Sequence, residues 1–141
     1  MTYDDRAHAS PHVRWAELAC RDHIRTPYPL DLRESRGRPL AMEFERIRAI
    51  VGEPIRILSA YRTPEHNVAV KGKPKSQHKE GRALDLECPH GYDFERFRLA
   101  VLLAATAEES LIRYVCIYPG RGFVHIDIRP TDKLKVEVAT S

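Results

Sequence analysis

The chain has 141 residues, 43% of them hydrophobic and 30% charged, which is enough apolar material for one core in a single domain and too much for a disordered chain. Its 23 Lys and Arg against 20 Asp and Glu leave a formal charge of +3, too small a surplus to predict nucleic-acid binding. The longest apolar stretch, 99–105, is far short of the roughly 20 residues of a membrane span, and the opening MTYDDRAHAS carries no apolar core of a secretory signal. Cys20, Cys88 and Cys116 are odd in number and far apart, so buried thiols and synthesis in a reducing cytosol are expected.

In chain order, Ser10-Pro11 places a capping hydroxyl before a first-turn proline and predicts a helix over 11–20. Residues 22–38, with Pro27, Pro29 and Gly37, read as a long ordered loop. Leu40, Phe44, Ile47 and Val51 then recur at helical spacing, and Gly52 supplies the stop. Residues 55–60 are β-prone, and Thr63-Pro64-Glu65 opens a short helix. After the basic turn Lys71-Gly72-Lys73-Pro74-Lys75, residues 82–87 read as a strand entered through Gly81. Asp93 caps a helix lined by Phe94, Phe97, Val101 and Ala104. Residues 112–118 and 123–128 form two strands joined by Pro119-Gly120-Arg121-Gly122, and Leu134, Val136 and Val138 alternate as a last edge strand. Helices lead and strands cluster late, which predicts an α+β fold with a small, mainly antiparallel sheet and flanking helices.

Two segments carry chemistry. In Ser76-Gln77-His78-Lys79-Glu80-Gly81-Arg82-Ala83-Leu84-Asp85, a glycine turn followed by a strand can fold the imidazole and carboxylate toward one point. In Phe123-Val124-His125-Ile126-Asp127-Ile128, period-two alternation sends Val124, Ile126 and Ile128 to one face and His125 and Asp127 to the other. A solvated polar sheet face is the plain alternative. Together His78, Asp85 and His125 offer two imidazoles and a carboxylate, the three-ligand set of a catalytic zinc site. His125-Ile126-Asp127 also reads as the HxD of an Fe(II) oxygenase, but that site needs a later histidine and none follows His125.

The runs SAYRTPEHN (59–67), SQHKEGRALDL (76–86) and GFVHIDIR (122–129) resemble the D-Ala-D-Ala carboxypeptidase family of zinc peptidases, which shares its fold group with lysostaphin-type endopeptidases and the hedgehog domain. The resemblance spans about residues 15–129, and Ser76, His78, Gly81, Ala83 and Asp85 match every fixed position of SxHxxGxAxD. It implies zinc held by His78, Asp85 and His125, with Arg62 placed at the substrate carboxylate or the developing oxyanion. Ser76 either touches substrate or only shapes its turn. Several relatives carry an acidic base three residues before the last histidine, where this chain has Gly122. Asp127 therefore either moves the proton or orients a ligand imidazole, with Glu80 and Glu65 as the next acids near the motifs. Roles for His66 and His90 stay open.

The implied substrates are stem peptides or muropeptides of bacterial peptidoglycan, cut by a monomer with no nucleic-acid or membrane partner. A chain of this kind would act after phage lysis, like an endolysin, or on imported muropeptides. The competing expectation is a zinc-stabilised cell-wall binding module or a phage structural component without catalysis.

Overall fold

The computed structural model describes residues 7–140. The chain runs through β1 (His8–Ser10), β2 (Val13–Arg14), 3-10 turns at Trp15–Leu18 and Leu30–Leu32, a π-helical turn at Arg33–Gly37 and α1 (Arg38–Val51). It continues with β3 (Ile57–Ser59), α2 (Pro64–Ala69), β4 (Ala83–Glu87), α3 (Phe94–Thr106), β5 (Tyr114–Tyr118), β6 (Phe123–Asp127) and β7 (Lys135–Val138). The main sheet has the order β3-β4-β6-β5-β7, antiparallel throughout except that β7 runs parallel to β5. This is the α+β architecture expected. No helix among the described residues is long and apolar enough to cross a membrane.

Alternation along the strands decides which face becomes core. Leu84, Leu86, Val115, Ile117, Val124 and Ile126 are buried in one cluster with Leu40, Phe44 and Ile47 of α1 and Phe97, Val101 and Ala104 of α3. The residues between them, Asp85, Cys116, His125 and Asp127, leave the strands on the other face. Helix α1 ends where its glycine predicts, with Gly52 in the left-handed conformation at φ 78°. Helix α3 starts at its predicted cap, where Asp93 Oδ2 accepts from the Arg96 N–H at 3.1 Å.

The helix expected over 11–20 does not form. Pro11 and His12 sit in the turn between β1 and β2, and the Ser10 hydroxyl donates to Glu45 Oε2 of α1 at 2.6 Å instead of capping. The His12 N–H reaches the same oxygen at 2.7 Å. Trp15, Leu18 and Cys20 are wholly buried, so the segment is a strap laid across the core, its shape set by tertiary contacts. The loop expected over 22–38 is partly helical, its last turn running straight into α1.

The strap also fixes the turn that delivers β4. Tyr28, 1% exposed, donates its hydroxyl to the Gly81 carbonyl at 2.7 Å. Gly81 has φ +70°, and a Cβ there would lie 2.7 Å from the Tyr28 oxygen. Gly81→Ala should therefore destabilise the protein by about 2–4 kcal/mol, combining left-handed strain with overpacking. An unchanged denaturant midpoint would show that the turn yields freely.

Candidate metal centre

Strand register brings two of the candidate ligands side by side, because Asp85 on β4 stands directly opposite His125 on β6. His78 arrives from the turn before β4. Its Nδ1 lies 2.7 Å from the Ala60 carbonyl, and the Arg62 N–H donates to the His78 carbonyl at 3.0 Å. The SAYR segment and the SQH turn are thus stitched together by their backbones. One ligand atom from each of His78, Asp85 and His125 falls within 4.8 Å of the other two.

Hydrogen bonding fixes which ring nitrogens face inward. A carbonyl can only accept, so His78 Nδ1 carries the proton, and in the neutral ring Nε2 presents a lone pair. That Nε2 is buried without a hydrogen-bond partner, 3.2 Å from Asp85 Oδ1. His125 Nε2 lies 2.8 Å from Asp127 Oδ2, while its Nδ1 lies 2.9 Å from Asp85 Oδ1. With Nε2–H donating to Asp127, the neutral His125 ring also turns a lone pair toward Asp85. Two lone pairs and a carboxylate oxygen then converge, an arrangement that a cation stabilises and that fits the N/O donor preference of zinc.

The electrostatics follow. Burial alone would raise the Asp85 carboxyl, but the contacts from His125 and His78 hold it well below the usual carboxylate range. Burial would lower the His125 imidazole, yet Asp127 and Asp85 on either side raise it. Asp127 is 0% exposed, and burial likewise works against its charge. The Arg129 guanidinium, donating to Oδ1 at 2.8 Å and Oδ2 at 2.7 Å, reverses this together with His125 and holds its carboxyl low.

Arg62 is partly buried beside the cluster. Its Nε donates to Ser59 Oγ at 3.2 Å, one Nη to Asn67 Oδ1 at 3.1 Å, and the other Nη lies 3.6 Å from Asp85 Oδ2. Ser76 lines the same cleft, and its hydroxyl oxygen accepts from the His78 N–H at 3.2 Å, so it shapes the turn that presents His78. Gly122 has φ 70° at the β5–β6 connection, a conformation that disfavours an acidic side chain there. Glu80 faces Arg36 and Arg82 instead of the cleft, and Glu65 and His90 are exposed outside it. His66 likewise lies outside the lining, in the first turn of α2, where its N–H donates to Thr63 Oγ1.

The cleft above the cluster has a volume of about 540 Å³. Four residues in or beside it carry roles that the sequence did not announce: Tyr114, Tyr118 and Glu137 line it, and Asn67 stands behind Arg62. Asn67, which holds Arg62, was legible only as part of SAYRTPEHN, since a helix-borne amide announces no partner. Tyr114 and Tyr118 alternate with core residues on β5 and so face the site, but two tyrosines on a strand are ordinary. Burial, with Cys116 alongside, pushes the Tyr118 phenol up to about 12, so it stays protonated near neutrality. Glu137 on β7 pairs with Cys116, itself opposite His125, and accepts from the Tyr114 hydroxyl at 2.7 Å. It is the one carboxylate besides Asp85 among the described residues lining the cleft.

No curated protein matches the chain. The model of one family, Peptidase M15, matches residues 11–127, a span that runs from the strap through the three converging candidate ligands to Asp127. That family consists of zinc peptidases, in keeping with the donors gathered here, and the chain belongs to it.

Proposed function

We propose that this chain is a zinc-dependent peptidase that hydrolyses peptide bonds of bacterial cell-wall peptidoglycan, as a D-Ala-D-Ala carboxypeptidase or an endopeptidase, acting as a monomer on stem peptides or muropeptides. The observation that carries this reading is the convergence of His78, Asp85 and His125 within 4.8 Å at the floor of a cleft that also contains Arg62. Zinc held by these three residues would supply Lewis-acid polarisation of the scissile carbonyl and activation of water. The chain itself does the rest. Arg62, fixed by Ser59 and Asn67, presents a charged planar fork to a terminal carboxylate or to a developing oxyanion. Ser76 keeps its hydroxyl hydrogen for a substrate carbonyl while its oxygen holds the His78 turn.

Asp127, wholly buried behind His125 and gripped by Arg129, orients the imidazole in this reading and does not exchange protons with substrate. Glu137 is then the carboxylate placed to take up a proton inside the cleft. Digestion of purified muropeptides followed by mass analysis, with and without a chelator, tests the reading. Loss of a terminal residue or opening of a cross-bridge, abolished by chelation and restored by zinc, is expected. Binding without any cleavage would leave a wall-binding module in its place.

Arg62→Lys keeps the charge but gives up the two parallel hydrogen bonds of the fork. It should lower kcat/KM by about 10–100-fold, the worth of a hydrogen bond to a charged group, with zinc content unchanged. Steady-state kinetics identical to those of the unmodified chain would reduce Arg62 to a bridge between loops.

A further inference from the structure

The charge of this protein is not spread evenly. Seven cationic side chains line the cleft against two carboxylates, although the whole chain carries only +3. One of the two carboxylates, Asp85, belongs to the metal centre. Three of the cations come from a single exposed turn, Lys71, Lys73 and Lys75; none of these makes a salt bridge within 4.0 Å to a carboxylate among the described residues, and Lys73 acts on Glu137 only through space. A cleft with one sign of charge concentrates ligands of the other sign.

The lysine turn is built, not merely loose and basic. Asn67, 2% exposed, accepts from Arg62 through Oδ1 and donates through Nδ2 to the Lys73 carbonyl at 2.9 Å. Its own carbonyl accepts from the Gly72 N–H at 2.8 Å. Lys71 is held at φ 60°, a left-handed conformation uncommon for lysine, with its N–H on the Val68 carbonyl at 3.0 Å. Gly72 packs so closely that a Cβ there would run into Asn67 Oδ1 and lie 2.9 Å from an Arg62 nitrogen. One buried amide therefore sets both the Arg62 guanidinium and the lysine turn at a fixed separation.

We propose that the turn is a second anion-recognising wall, so that the cleft selects peptides with at least two free carboxylates, one held by Arg62 and another by Lys71, Lys73 and Lys75. The proposal rests on the peptidase reading and names its substrate class. A peptide fits better than a polynucleotide because the anion sites flank a floor of metal-binding side chains in a cleft of about 540 Å³, sized for a few residues. The aromatic rings on the rim are also taken up by each other, with Tyr118 and Phe123 stacked at 4.3 Å beneath Arg121.

The test is calorimetric titration of the zinc-loaded full chain with two tetrapeptides made uncleavable by N-methylation. Both have a free C-terminus, and they differ only in one glutamate against glutamine. The glutamate peptide should bind the unmodified chain about 5–10-fold more tightly, and the gap should close at high salt. Combined Lys71→Gln, Lys73→Gln and Lys75→Gln substitutions should abolish the gap, whereas Lys133→Gln, outside the cleft, should leave it intact. Gly72→Ala, which removes no charge but displaces the turn from Asn67, should narrow it. Equal binding of both peptides by the unmodified chain, or a gap that survives the triple substitution, overturns the proposal. So does tighter binding of a single-stranded oligonucleotide of equal charge. Cleavage is read separately on the unmethylated peptides: discrimination without cleavage supports the acidic-peptide wall and removes only the peptidase reading.

Discussion

Replacing His125 with alanine should lower zinc affinity by about 10²–10³-fold. Four-ligand zinc sites in small domains contribute ~10–16 kcal/mol, so one protein ligand is worth about 2.5–4 kcal/mol. The loss falls on Nδ1, which stands 2.9 Å from Asp85 Oδ1 in the converging set. Competition against a chromophoric chelator measures it. A chelator should also lower the melting temperature of the unmodified chain, since a ligand bound only to the folded state stabilises it by mass action, and this shift should shrink in the variant. A variant that folds and retains full zinc affinity would take His125 out of the ligand set.

Asp127→Asn should lower zinc affinity by about 10–100-fold, the usual effect of removing the partner that orients a ligand imidazole. At present one carboxylate serves both His125 Nε2 and two Arg129 nitrogens. Asparagine has a single acceptor oxygen, so one of these donors is left wanting, at a cost to stability of about 1–3 kcal/mol. The decisive measurement is turnover at saturating zinc. Activity within a few-fold of the unmodified chain is the expected result for an orienting group. A persistent loss of about 10²–10⁴-fold in a fully zinc-loaded variant would return Asp127 to the role of proton carrier.

The geometric premise for placing Asp127 and His125 together was readable from period two alone. Both leave β6 on one face, and the core residues Val124 and Ile126 on the other. Alternation could not say that Asp127 would be wholly buried with Arg129 folded over it. That depends on the next turn of chain bringing the guanidinium back, a contact between side chains and not a property of a strand.

Local signals determined the elements whose reasons are local. The cap at Asp93, the stop at Gly52, the glycine-ended connection between β5 and β6 and the alternation of three central strands each rest on a few adjacent residues, and all stand where the sequence puts them. The motif spacing likewise marked His78, Asp85 and His125 as a set. Tertiary structure alone decided the strap over 7–20, where Ser10 bonds to Glu45 instead of capping a helix, because burial of Trp15, Leu18 and Cys20 outweighs local preference. It also decided the parallel placement of β7, which brings Glu137 to the cleft, and the bond from Asn67 that couples Arg62 to the lysine turn. Sequence fixes what a residue can donate, accept or bury within a turn or two of itself; which distant group meets it is settled only when the whole chain has closed its core.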